Sequence, residues 1–282
     1  MCNPMKKIES PREFFLSRGI VPKKALGQSF LVDLRILERI GEIAELSGQD
    51  EVVEIGAGLG VLTTFLGERV KRVIAIEKDP RFIDKLKEIT VPFGNIELVH
   101  QDALGIEFKK FYLGNKLKVV SNLPYSVSSP ILIKLLDERE VFSLMVLMVQ
   151  KEVGERIVAS PGTKAYGSIS VLIQTYMDAE IKLHVPPSAF WPQPKVESVV
   201  LKLIPLSSPR VNVPDERFFR RVVKAAFSSR RKILANSLSS IFPRDMVEAI
   251  LKAAEIDRKR RAETLSLEEF GRIAHEAFIR SA

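Results

Sequence analysis

From residue 51 to residue 149, short apolar runs alternate with amphipathic stretches. The runs 52–55, 73–76, 96–99, 117–120 and 144–149 predict strands, and 59–68, 80–89 and 130–137 predict the helices between them. Strand–helix alternation at this spacing implies an α/β fold with a parallel sheet covered on both faces. Two later strand-like segments, 179–185 and 198–204, are expected to complete that sheet. The stretch 185–195 separates them and carries Pro186, Pro187, Pro192 and Pro194. So many prolines exclude a helix or a central strand and predict an ordered, stiff loop.

After residue 204 the pattern changes. Pro205, Pro209 and Pro214 punctuate a linker, and helical periodicity follows over 216–227, 231–239, 244–254 and 267–278. Ser266 and Glu269 have the spacing of a capping box. A boundary near 205 is therefore expected, with an α/β domain over 1–204 and a small all-helical domain over 205–282.

Charge sharpens this division. The chain of 282 residues carries a formal charge of +8, and residues 205–282 hold sixteen Lys and Arg against ten Asp and Glu. Such an excess favours an acidic partner, nucleic acid first, with a merely solvated helix face as the alternative. Arg220, Arg221, Lys224, Arg230, Arg231 and Lys232 are the candidate phosphate contacts, on overlapping helical faces but not all on one stripe. Other classes are disfavoured. The longest apolar run, 141–149, is about half of a membrane span. Lys6, Lys7 and Glu9 are not followed by the apolar region of a signal peptide. The single Cys2 excludes an internal disulfide and a cysteine-based metal site. The expectation is a cytoplasmic protein without a metal.

The chemistry concentrates at predicted strand ends. Asn122-Leu123-Pro124-Tyr125 follows the run 117–120, at the carboxyl end where open α/β sheets bind ligands. Asn122 supplies a side-chain carbonyl. Pro124 has no N–H and stiffens the turn, which helps leave the Leu123 carbonyl free to accept. Tyr125 offers a flat face. Two acceptors and a ring suit the exocyclic amine of adenine; the plainer alternative is a strand followed by a proline turn. Upstream, Glu54-Ile55-Gly56-Ala57-Gly58-Leu59-Gly60 lies between a strand and a helix, where glycines let the backbone approach a ligand. Its G-x-G-x-G spacing is not the G-x-G-x-x-G of dinucleotide binders. Glu77 and Asp102 end the next two strands, placed to accept from ribose hydroxyls and an adenine amine. This combination favours S-adenosylmethionine over NAD. In the alternative reading both acids simply cap helices. His100, His184 and His275 lie in no catalytic motif, and surface or packing roles are expected for them.

Taken together these residues resemble the ribosomal RNA adenine dimethyltransferase family, which makes N6,N6-dimethyladenosine in small-subunit rRNA. The resemblance runs from about Val21 to the C-terminus. It also includes Lys23-Lys24-Ala25-Leu26-Gly27-Gln28-Ser29-Phe30-Leu31, Gly162-Thr163-Lys164-Ala165-Tyr166-Gly167, the Pro186-Pro187-Ser188-Ala189-Phe190 loop, the stretch 227–238, and Arg261-Ala262-Glu263-Thr264-Leu265-Ser266. The last of these looks most like the bacterial members. One departure is Ser29, where the family usually carries His or Asn.

The resemblance implies a Rossmann-like, S-adenosylmethionine-dependent methyltransferase domain followed by a small helical RNA-recognition domain. It implies cofactor contacts from Ser29, Leu31, Gly56 and Gly58 of the glycine turn, Glu77, Asp102 and Asn122. It implies a target amine held by Asn122 and the Leu123 carbonyl ahead of Pro124, with the adenine sandwiched between Tyr125 and Phe190. The implied substrate is a pair of adjacent adenosines in the 3′-terminal hairpin loop of small-subunit rRNA in a pre-30S-type particle, and the enzyme is expected to be a monomer. The alternatives are a non-catalytic RNA-binding assembly factor and a large-subunit rRNA adenine methyltransferase of the antibiotic-resistance type. A dinucleotide-dependent oxidoreductase is disfavoured by the glycine spacing.

Overall fold

Apolar runs long enough for one strand each, separated by amphipathic helices, build a single seven-stranded sheet in the computed structural model. The structure describes residues 9–22, 29–229 and 231–281. Helix α1 (Pro11–Ser17), strand β1 (Phe30–Leu31) and helix α2 (Leu34–Ile43) precede the alternating region. There follow β2 (Glu51–Ile55), α3 (Val61–Gly67), β3 (Arg72–Glu77), α4 (Pro80–Thr90), β4 (Ile96–His100), β5 (Leu117–Asn122), α5 (Ser128–Asp137) and β6 (Phe142–Gln150). Next come α6 (Lys151–Ile157), α7 (Ser168–Tyr176), β7 (Met177–Val185), β8 (Phe190–Trp191) and β9 (Ser198–Pro205). The remaining helices are α8 (Glu216–Ala226), α9 (Leu234–Leu238), α10 (Arg244–Ala253) and α11 (Leu267–Ser281).

The sheet order is β4-β3-β2-β5-β6-β9-β7. From β4 to β6 neighbouring strands are parallel, while β9 runs antiparallel to β6 with Ser198 opposite Gln150. Every residue of β2 is buried, as a strand covered on both faces requires. Along β7, by contrast, buried and open positions alternate, as suits the last strand in the order. The chain leaves β2 in one direction through β3 and β4, then returns to its other side with β5. That reversal opens a crevice beyond the carboxyl ends of β2 and β5.

The proline-rich stretch is not wholly irregular. A 3-10 turn at Pro187–Ala189 leads into β8, which pairs antiparallel with β1, Phe190 opposite Leu31. The Trp191–Pro192 bond is cis.

Two compact units emerge. One comprises residues up to Gly154 together with Glu180–Pro205, and the other Glu155–Ala179 together with Leu206–Ala282. This differs from a single division near 205, because residues 155–179 group with the C-terminal helices. The physical reason is α7, whose Val171, Leu172, Ile173 and Tyr176 are all buried and which packs against α8 and α11. Within the same unit Phe227 stacks on Phe270 at 5.6 Å. The expected capping box closes α11: Ser266 N–H donates to Glu269 at 2.8 Å and Glu269 N–H to Ser266 Oγ at 3.2 Å. No helix among the described residues is long and apolar enough to cross a membrane.

Candidate active site

A cavity of about 390 Å³ lies in the sheet-containing unit, within the size range of small-molecule sites. Ser29, Leu31, Gly56, Gly58, Glu77, Asp102, Asn122, Leu123, Pro124 and Tyr125 all line it. Residues spread over some hundred positions thus meet where the strands end. The turn after β2 is built for close approach. Gly56 has φ +82°, and a Cβ there would meet Pro124 Cγ at 3.2 Å, so the glycine lets the two loops touch. At Gly60, with φ +79°, a Cβ would lie 2.2 Å from Ile89 Cδ1, which fixes how α3 starts against α4.

The two predicted acids line the cavity and also organise the backbone. Glu77 is buried; its Oε2 accepts from Gly58 N–H at 2.8 Å and its Oε1 from Asp79 N–H at 2.6 Å. It therefore pins the glycine turn to the end of β3. Burial raises its pKa, opposed by these backbone hydrogen bonds. Asp102 accepts from Leu104 N–H at 3.0 Å, capping a short 3-10 turn, and from Lys78 Nζ at 2.6 Å. The Lys78 ammonium holds its pKa below the usual carboxylate range. For Asp102, capping and cavity lining are one arrangement rather than alternatives, whereas α4 is capped by Asp79 and not by Glu77.

A third acid, Glu54, was not singled out from the sequence. It is buried at the end of β2, lines the cavity, and accepts from Thr63 Oγ1 at 2.6 Å. Burial pushes its pKa up to about 8; the Thr63 hydrogen bond opposes this and the nearby Glu77 adds to it. The available signal was an acid inside an otherwise apolar run, two residues before Gly56 of the glycine turn.

In the same lining, β5 fixes the acceptor loop. Asn122 is opposite Met148 of β6, and Leu123 N–H donates to the Met148 carbonyl at 3.0 Å. Asn122 Nδ2 donates to the Ser29 carbonyl at 3.3 Å, which leaves Oδ1 as the acceptor of that amide. Tyr125 Oη is 2.6 Å from Ser198 Oγ, either one donating. Burial raises the pKa of this phenol, and the Ser198 contact works the other way.

Phe190 requires a correction. It does not line the cavity; it is 2% exposed and belongs to the hydrophobic core with Phe14, Phe15 and Leu31. Successive side chains of a strand face opposite ways, and in β8 Phe190 is buried whereas Trp191 is half-buried and packs on Phe15 at 5.6 Å. Of the two rings expected to stack on the base, Tyr125 lines the cavity and Phe190 does not. The other aromatic rings of the lining are Phe30 and Phe82.

In the helical unit, Arg220, Arg221 and Lys224 lie on α8, with Arg231 and Lys232 in the connection to α9. Arg230 and the motif residues 23–28 lie outside the described residues. Arg217, missed from sequence, joins the first three at i, i+3, i+4 and i+7, so α8 does carry one basic stripe. These four residues, with Ser240 and Ile241, surround a shallow hollow. The Arg221 guanidinium sits 4.9 Å from the Phe218 ring centre. None of the three histidines lines the cavity.

A sheet of this order, with a glycine turn after β2 and an acid closing β3, defines a Rossmann-like methyltransferase fold. A solved dimethyladenosine transferase from Plasmodium falciparum is similar with a TM-score of 0.75 and 26% identity, over 89% of this chain and 98% of that one. The 23S rRNA methyltransferase ErmE is similar with a TM-score of 0.66 and 26% identity, over 88% and 99%. The chain belongs to the ribosomal RNA adenine dimethylase family, whose profile matches residues 21–278. Ribosomal RNA small subunit methyltransferase A of Geobacillus sp. (strain WCH70) is 43% identical over 283 residues, covering 96% of this chain and 97% of its own. The protein of that name from Bacillus cereus (strain B4264) is 42% identical over 284 residues with the same coverage.

Proposed function

We propose that this chain methylates the N6 amine of two adjacent adenosines in the 3′-terminal hairpin loop of small-subunit rRNA. It does so twice per base, using S-adenosylmethionine, as a monomer acting on pre-30S-type particles in the cytoplasm. The observation that carries the reading is the meeting, in one cavity, of an Asn122 amide whose nitrogen is already engaged, the Tyr125 ring and the two strand-end acids. Full-length identity of 42–43% to small-subunit enzymes, against 26% to ErmE, favours the small subunit as substrate.

The residues present fit S-adenosylmethionine. Glu77 brings a buried, backbone-held carboxylate to the cavity, suited to ribose hydroxyls, and Asp102 brings an acceptor suited to the adenine amine. Ser29, Leu31, Gly56, Gly58 and Asn122 complete that contact surface. When bound, the cofactor supplies a methyl group activated by its sulfonium.

The amine of adenine is a poor nucleophile because its lone pair is delocalised into the ring. Asn122 Oδ1 and the Leu123 carbonyl accept its two N–H groups and draw the nitrogen toward tetrahedral geometry, which frees the lone pair. Catalysis is then positioning and electrostatics by groups fixed before the substrate arrives. Tyr125 stacks on one face of the base. A base in folded RNA reaches such a cavity only when flipped out of its stack. The cations of α8, with Arg230, Arg231 and Lys232, supply phosphate contacts for holding the surrounding RNA.

The test is transfer of labelled methyl to small subunits isolated without this modification, with nucleoside mass spectrometry of the product. N6,N6-dimethyladenosine in the small-subunit 3′-terminal hairpin is the expected result. Label in large-subunit RNA, or particle binding without transfer, would replace this reading with one of its alternatives.

A further inference from the structure

Tyr125 is held at both ends. Its backbone follows Leu123, whose N–H is fixed to Met148 of β6, and its hydroxyl lies 2.6 Å from Ser198 Oγ. Ser198 is itself fully buried at the start of β9, in register with Gln150. The adjoining residue is also tied down: Lys151 N–H donates to the Glu197 carbonyl at 2.9 Å, and Lys151 Nζ pairs with the Glu197 carboxylate at 2.6 Å. The strand pair β6–β9 therefore acts as a fixed anchor for the phenol, and the phenol sets the plane of a ring that lines the cavity.

The chemistry of successive methylation gives this anchor a particular weight. Each transfer forms an N6–CH3 bond while the sulfonium S–CH3 bond breaks with its electron pair left on sulfur, and N6 releases one proton to water. In the first transfer the amine offers two N–H groups to the two acceptors at 122 and 123. The monomethyl product offers only one. In the second transfer a polar contact is missing, and the ring stack carries a larger share of the positioning. Tyr125 is the ring of the acceptor loop itself, and it lines the cavity.

We propose that Ser198 is a positioning residue for the target base, acting through the Tyr125 hydroxyl, and that its hydrogen bond counts for more in the second methyl transfer than in the first. This rests on the function proposed above.

The experiment is a single-turnover time course on unmodified small subunits, resolving N6-monomethyl from N6,N6-dimethyladenosine, with S-adenosylmethionine affinity measured by calorimetry on the same proteins. For Ser198→Ala the second rate constant is expected to fall several-fold more than the first, so that monomethyladenosine accumulates while cofactor affinity stays at the parent's. Ser198→Thr, which keeps a hydroxyl, restores the parent ratio. Tyr125→Phe, which keeps the ring and removes the hydroxyl, produces the same accumulation, and the double variant adds nothing to either single one. If Ser198→Ala fails to fold, Tyr125→Phe carries the test alone. Equal slowing of both steps, or a parent-like product ratio in Tyr125→Phe, overturns the inference. A parent protein that makes no methylated adenosine overturns the proposed function instead.

Discussion

Glu77 and Arg221 show two ways of presenting charge. Glu77 is buried, with each oxygen fixed by a backbone N–H, so its position is set before any ligand arrives. Arg221 is exposed on α8 beside other cations and rests on an aromatic ring. The strand ends of the sheet-containing unit offer few polar groups, each held in one geometry. The helical unit offers many long, solvated charges. Groups of the first kind act individually, and removing one removes a defined contact. In the proposed function, groups of the second kind act by number, through the counterions they release.

The largest effect that this contrast predicts is on Asn122. In Asn122→Ala, methyl transfer at saturating S-adenosylmethionine should slow on the order of 10²–10³-fold. RNA affinity should persist, because the basic residues are untouched. Single-turnover rates beside equilibrium RNA binding would show whether the two properties separate in this way.

Next is Glu77→Ala, expected to weaken S-adenosylmethionine by about 1–3 kcal/mol through the loss of a buried acceptor. It also frees the N–H groups of Gly58 and Asp79, so calorimetry should be paired with thermal denaturation. Unchanged affinity in a folded variant would mean that the ribose lies elsewhere.

A smaller effect per residue is expected on the helix. Replacing Arg217, Arg221 and Lys224 together by Ala should reduce the log–log salt slope of RNA binding by roughly two units, at about 0.7–0.9 for each phosphate no longer neutralised. A slope equal to the parent's would make the stripe a solubility feature.

The fourth concerns Glu54 and reads out as stability. Its folded pKa is near 8 against 4.5 for the unperturbed group, so between those values the folded protein holds a proton that the unfolded chain has released. This group therefore lowers stability as pH rises through that window and changes nothing further above it. Glu54→Gln, which can still accept from Thr63, should gain on the parent by on the order of 1–3 kcal/mol between pH 5 and pH 8. Denaturant unfolding at the two pH values measures the difference.

The same contrast explains what the sequence revealed. The strands of the sheet were legible because burial on both faces leaves continuous apolar runs, as in β2. The strand-end chemistry was legible because glycine turns and Asn-Leu-Pro-Tyr are local. What stayed hidden depended on distant partners. Helix α7 is short and buried on most sides, so it lacks the two-faced pattern that marks a surface helix. Helix α2 was not anticipated either, although Asp33 caps it and Leu37 and Ile40 are buried along it. Whether Phe190 faced base or core was set by pairing of β8 with β1, which nothing in the proline-rich stretch announces. Ser198 gained its role from Tyr125, 73 residues away.

The division of labour is tested most directly by measuring both kcat at saturating substrates and RNA Kd for Asn122→Ala and for the Arg217, Arg221, Lys224 triple alanine variant. The account predicts a crossed result: Asn122→Ala loses kcat and keeps Kd, while the triple variant weakens Kd and keeps kcat. Near-parent dimethyladenosine formation by Asn122→Ala, or loss of both properties in both variants, would contradict it.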